Sequence, residues 1–211
     1  MSRRLLPVAV ALLFVTSGCV GLITGETVTF AAEPATVSDS TLDETGYELQ
    51  NASQRNVSES VTVAGQERTL RLTNEWRQYT RSGTILGVEV VEISRFVVLS
   101  TPTAEVAGQD LNPAADWSNR RVISEMRDRT GLVPDLEAEG NRTVQALGES
   151  RRVSTYTGTA QVLGQPVDVR VHVASFTHEG DVVVAVAVHP EDLDETDTVD
   201  ALFSGLQHSG E

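Results

Sequence analysis

The sequence predicts an α+β domain: one twisted antiparallel β-sheet with two or three helices packed mainly on one face. Three observations carry this. Valines recur at every second position, at 167, 169, 171 and 173 and again at 182, 184, 186 and 188, on either side of Glu179-Gly180. Side chains alternate between faces along a strand, so this spacing describes one hairpin with a solid apolar surface. Gly87–Ser100 is rich in β-branched residues and contains Phe96-Val97-Val98-Leu99, apolar on both faces. Val199, Leu202, Phe203 and Leu206 stand at i, i+3, i+4 and i+7, which is a helical stripe needing a sheet to cover.

In chain order, Pro34–Thr45 reads as a short helix, with proline in its first turn and Gly46 after its last residue. Tyr47–Ser60 is polar. Val61–Ala64 and Arg68–Arg81 flank Gly65-Gln66 as a hairpin. Gly87–Ser100 is a central strand, ended by Thr101-Pro102. Asp116–Thr130 is a helix capped by Asp116 and stopped by Gly131, with Val122, Ile123 and Met126 on one face. Thr143–Leu147 is a short strand. Val153–Val162 turns around Gly164-Gln165 into Val167–Thr177, which turns around Glu179-Gly180 into Val182–His189. That register sets His172 opposite Ala187 and His189 opposite Arg170. Pro190 ends the sheet, and a helix over Thr196–Gln207 is expected to lay its stripe on the valine face.

The first residues predict export. Arg3-Arg4 precede an apolar run from Leu5 to Val15, then Thr16-Ser17-Gly18-Cys19. The run is far shorter than the roughly 20 residues that span a bilayer, and the layout is that of a signal peptide. The Thr16–Cys19 segment resembles a prokaryotic lipobox, with threonine where leucine is usual, and Ser2–Leu6 resembles a twin-arginine signal. The expected organisation is a signal peptide over 1–18, a lipid-anchored tether over 19–33 and a single domain over 34–211. Cys19, the chain's one cysteine, is the expected lipidation site. The expected location is the extracellular face of the cell membrane.

The charge points to salt. The chain has 16 basic and 30 acidic residues, and every basic residue is arginine. Without Arg3 and Arg4, 14 face 30, a net −16. Such a surface repels itself in dilute buffer but is screened in molar salt, where the Debye length is about 3 Å. Arginine suits this surface, because its planar fork pairs with carboxylates. The acidic balance and few aromatics exclude a nucleic-acid partner. The partners expected are the membrane, through the lipid, and an envelope protein or small ligand.

No P-loop, G-x-G-x-x-G, H-E-x-x-H or G-x-S-x-G occurs, and no catalytic residue and no cofactor is assigned. His172 and His189, with Asp168 on the same face, are the weak candidates for a metal, opposed by Arg170 among them. Arg120, Arg121, Arg127 and Arg129 on one helix, followed by Arg142, Arg151 and Arg152, form a candidate anion or partner patch; intrachain pairing is the competing reading. Glu191, Asp192, Asp194, Glu195, Asp197 and Asp200 lack calcium-loop spacing and fit the positive end of the last helix. Asn51, Asn56 and Asn141 head N-glycosylation sequons.

From Phe96 onward the chain resembles a family of uncharacterised haloarchaeal surface lipoproteins. The resemblance rests on Phe96–Pro102 (FVVLSTP), Gly108, Asn112-Pro113 and Gly180-Asp181-Val182-Val183. It implies no activity and no functional residues. The function expected is a non-enzymatic ligand- or partner-binding surface domain, anchored outside a halophilic archaeon. The alternatives are an accessory subunit of an envelope complex and a hydrolase of unrecognised type.

Overall fold

The computed structural model describes residues 27–63, 66–85, 88–106, 109–130, 136–162 and 164–208. The expected signal peptide, Cys19 and most of the expected tether lie outside these residues. The order is β1 (Val28–Ala31), β2 (Ala35–Val37), α1 (Asp39–Thr45), β3 (Glu48–Val63), β4 (Gln66–Ile85), β5 (Val88–Pro102), β6 (Glu105–Val106), β7 (Gln109–Asp110), a 3-10 turn (Pro113–Asp116) and α2 (Asn119–Thr130). Then come β8 (Glu137–Ala146), β9 (Glu149–Val162), β10 (Gln165–His178), β11 (Asp181–Pro190), α3 (Thr196–Ser204) and β12 (Leu206–His208).

The protein is mostly β. Its main sheet has eight strands and runs β4-β5-β11-β10-β9-β8, with β3 and β1 both bonded to β4. β4 has 20 residues. β3 covers one edge of it, while β5 and β1 share the other in succession: β5 is bonded from Glu75 onward and β1 at Leu70–Thr73. The β1–β4 pair is parallel, so the sheet is mixed and not purely antiparallel as expected. It also draws residues of the expected tether into the fold, since Val28 is buried.

The β10–β11 hairpin has the expected register, with His172 opposite Ala187, Arg170 opposite His189 and Val173 opposite Val186. Its turn is Glu179-Gly180, both at positive φ (48° and 88°), the geometry of a tight two-residue hairpin. β5 is central, between β4 and β11.

Helices lie on both faces, and the one on the valine face is α2 and not, as expected, the last helix. Val171, Val173, Val182, Val184 and Val186 pack with Val122 and Ile123 of α2 and with Tyr156. The α3 stripe lies on the opposite face, where Val199, Leu202 and Phe203 pack with Phe96, Val98, Ala174, Val183, Ala185 and Ala187. The reason is volume. Three alanines leave a trough on that face, and it accepts the large Leu202 and Phe203 side chains. Phe96 and Phe203 meet edge to face at 5.4 Å, both fully buried. Leu42 of α1 packs on this face too, so two helices share one side and α2 holds the other.

Boundaries differ where local chemistry overrides pattern. Pro34 does not open a helix; Ala35–Val37 pairs with Leu206–His208, and Ser38 caps α1 by accepting from the Thr41 N–H. α3 therefore stops at Ser204, and Gly205 packs so closely on Thr41 that no side chain fits there. α2 starts at Asn119, not at Asp116, because Ser118 Oγ takes the Arg121 N–H (3.3 Å) and Asp116 ends the 3-10 turn. β3 and β8 run far beyond Val61–Ala64 and Thr143–Leu147. Among the described residues no helix is long and apolar enough to cross a membrane.

Candidate functional site

On the face carrying α2, β9 and β10 are paired as far as Ser154 and Val173 and then part. Asn119, the first residue of α2, fills the fork. Its Oδ1 accepts from the Ser175 N–H (2.9 Å), and its Nδ2 donates to Ser154 Oγ (2.9 Å) and to the Arg152 carbonyl (3.2 Å). Ser154 Oγ passes its own proton to Asn141 Oδ1 on β8 (2.7 Å). Beside this chain the β8–β9 register shifts between Ala138 and Gly140, and the added residue, Glu139, pairs with Arg170 (3.0 Å).

The result is a groove of about 680 Å³ between the start of α2 and the β8–β9 pair. Arg120 and Arg152 line it with Ser118, Asn119, Asn141 and Tyr156. Both arginines are exposed, and neither guanidinium has an ion-pair partner among the described residues. Their neighbours differ: Arg121 pairs with Glu125 (2.5 Å), Arg142 with Asp200 (2.6 Å) and Arg151 with Glu149 (3.2 Å), while Arg151 also lies over the Phe176 ring. So the expected arginine patch divides, with Arg120 and Arg152 open to a ligand and Arg121, Arg142 and Arg151 engaged. The side chains of Arg127 and Arg129 lie outside the described part. The sequence grouped Arg120 and Arg152 in one candidate patch with five other arginines; the fold sets these two on one groove, beside the fork between β9 and β10.

The structure also joins His172 and His189, on the other face beneath α3. Both are 1% exposed, and their Nε2 atoms are 3.0 Å apart. The protons follow from the partners. His189 Nδ1 must donate to the Pro190 carbonyl (2.8 Å), leaving its Nε2 to accept from His172 Nε2. His172 Nδ1 then accepts from Arg142 Nη1 (2.8 Å) and lies 3.2 Å from Thr155 Oγ1. Burial first, then the Arg142 charge, pushes His172 down to about 3; burial also lowers His189. All four ring nitrogens are engaged, so the pair has no lone pair left for a cation. Asp168 does not join them; it is exposed and accepts from Thr159 Oγ1 (3.0 Å).

Of the acidic run expected at the last helix, Glu195 does something sequence did not show. It is 1% exposed at the start of α3 and accepts from Tyr47 Oη (3.1 Å), Ser94 Oγ (2.6 Å) and Arg81. Burial and this carboxylate raise the Tyr47 phenol. Arg81–Glu195 and Arg142–Asp200 thus tie α3 to the sheet on either side of the histidines. The three sequon asparagines are exposed, but Asn56 accepts from Thr73 Oγ1 (2.8 Å) and Asn141 stands in the groove.

Residues 34–207 match the model of a domain of unknown function, DUF6517. The chain belongs to this family. No curated protein matches this DUF6517 chain at a significant level. Two of the solved structures similar to it are these. One is the solution structure of the cyanobacterial PsbP protein (CyanoP) from Synechocystis sp. PCC 6803, with 16% identity, 85% of this chain and 94% of that one covered, and a TM-score of 0.34. The other is the crystal structure of LpqN, involved in cell envelope biogenesis of Mycobacterium tuberculosis, with 11% identity, 83% and 98% covered, and a TM-score of 0.33.

Proposed function

We propose that this chain is a lipid-anchored, extracytoplasmic binding domain of a halophilic archaeal envelope, without catalytic activity, and that the α2–β8–β9 groove takes a small ligand bearing a phosphate or carboxylate. The observation that carries this is the pair of guanidiniums, Arg120 and Arg152, over one polar groove with no ion-pair partner among the described residues, in a chain with acid to spare. Anion recognition here rests on short bidentate hydrogen bonds rather than long-range attraction, because concentrated salt removes the latter. The lining favours binding over hydrolysis. Ser154 Oγ is bonded to the amides of Asn119 and Asn141, which cannot take its proton, and Glu139, the carboxylate in the lining, is held by Arg170. A partner protein presenting a carboxylate to the same arginines is the second reading.

The test is titration of inorganic phosphate, citrate and a sugar phosphate in high salt, followed by the fluorescence of Trp117, which immediately precedes the groove residue Ser118. At least one anion should saturate, and the R120Q/R152Q double variant should lose it with no change in unfolding midpoint. No saturation by any anion, or equal saturation in the variant, sinks the ligand reading. Retention of an envelope protein by wild type alone supports the second. Fractionation of a Cys19→Ser chain tests the anchor: it should leave the membrane fraction.

A further inference from the structure

The turn of the β10–β11 hairpin meets the last strand in a cluster that the groove does not use. His178 and Glu179 come from the hairpin and His208 from β12, and one ligand atom of each lies within 4.8 Å of the others. By strand alternation His178 falls on the α3 face of the sheet, away from the groove.

The nitrogens decide what the cluster is for. His208 is 4% exposed, and its Nε2 donates to Asp181 Oδ2 (3.0 Å). That carboxylate is fixed from two more sides, by the Glu33 N–H (2.8 Å) and by Ser100 Oγ (3.4 Å). A ring whose single proton sits on Nε2 presents a bare lone pair at Nδ1. This atom is buried and has no hydrogen-bond partner among the described residues, yet it faces Glu179 Oε2 at 3.6 Å. A lone pair aimed at a carboxylate repels it unless a cation stands between. His178 Nε2 is likewise buried without a partner. An unpaired buried nitrogen normally costs about 1–3 kcal/mol, and here there are two in one cluster.

We propose that His178, Glu179 and His208 form a zinc site, with Asp181 orienting His208 from behind and a water completing the tetrahedron. Two imidazoles and one carboxylate suit zinc, and three protein ligands leave the fourth position open. Ligands about 2.1 Å from a tetrahedral ion lie about 3.4 Å apart, which Glu179 and His208 nearly satisfy already. The Asp181–His208 bond is the carboxylate–histidine pairing that fixes tautomer and ring orientation at such centres. The ion would join β12 to the hairpin turn, and Glu179, which is 44% exposed by its side chain, leaves the open position on the solvent side.

The experiment uses the full chain, stripped with chelator and dialysed against zinc at one fixed chloride concentration, so that competition by chloride cancels between samples. Wild type should retain one zinc per chain, and Co²⁺ in its place should give the intense visible bands of tetrahedral coordination. His178→Ala and Glu179→Gln, both at or beside the turn, should bind at least 10-fold more weakly while keeping the wild-type circular dichroism. Asp181→Asn should weaken binding by about 10- to 100-fold. Absence of stoichiometric zinc from wild type overturns the proposal, and means that a proton rather than a metal lies between His208 and Glu179. Retention of zinc by both the His178 and Glu179 variants overturns it too, because the metal is then bound elsewhere.

Discussion

Acid should loosen this fold through one histidine before its carboxylates are protonated. His172 is 1% exposed and is held neutral, down to about 3, by burial and by the Arg142 guanidinium against its Nδ1. In the unfolded chain it titrates near 6.5. Between these values the unfolded state binds a proton that the folded state refuses, so stability must rise with pH across the window. The contribution is complete above about 6.5 and falls as pH drops toward 3, at about 1.4 kcal/mol per unit. At pH 5 the loss from this residue is about 2 kcal/mol relative to pH 8, with His189 shifted in the same direction. Urea unfolding at pH 5 and pH 8, in constant high salt, measures it for wild type and for His172→Gln. The variant is less stable at pH 8 but should lose about 2 kcal/mol less on acidification, since the carboxylate background cancels in the difference. Identical pH dependence in the two proteins, or an NMR titration of His172 near 6.5, would falsify the assignment of a buried neutral pair.

Two further outcomes follow from the same contacts. Glu195→Ala removes the acceptor of Tyr47, Ser94 and Arg81 at the start of α3, leaving Arg81 without its partner; the expected cost is about 3–5 kcal/mol in urea unfolding, and a cost under 1 would show the network to be dispensable. Asn119→Ala leaves the Ser175 N–H and the Arg152 carbonyl without the bonds that close the β9–β10 fork; about 1–3 kcal/mol should be lost, with faster amide exchange at Ser175, whereas unchanged exchange there would mean that the fork closes without it.

What sequence revealed depends on whether a strand has two unlike faces. The β10–β11 hairpin was readable to the residue, because valines mark one side and the Glu179-Gly180 turn sets the register. β3 was not, because it lies on the outer side of β4 with most of its side chains exposed, and Asn51–Ser60 needs no apolar alternation to pair. The place of α3 was misjudged for a related reason. Both faces of β11 are apolar, and pattern cannot distinguish a valine ridge from the Val183-Ala185-Ala187 trough. β2 and β12 have three residues each, too few for any period, and without β12 there was no reason to bring His208 to His178. The groove escaped in the same way, since its lining runs from Ser118 to Ser175 and is assembled by long-range pairing.

The charge imbalance gives the free arginines their meaning. With 14 basic against 30 acidic residues beyond the expected signal, an arginine in this chain finds a carboxylate easily, and Arg121, Arg142, Arg151 and Arg170 have each done so. Arg142 shows what such pairing achieves, because one guanidinium binds Asp200 of α3 and also faces His172, fastening helix to sheet. Arg120 and Arg152 sit a few residues from these, on the same face as the start of α2, and have no ion-pair partner among the described residues. On the proposed function they hold an anion small enough for a groove of about 680 Å³, or a single carboxylate on a larger surface. Asn141 adds a constraint of its own: a glycan there would stand in the groove, so glycosylation at Asn141 and ligand binding should exclude one another, whereas Asn51 and Asn56 on β3 carry no such conflict.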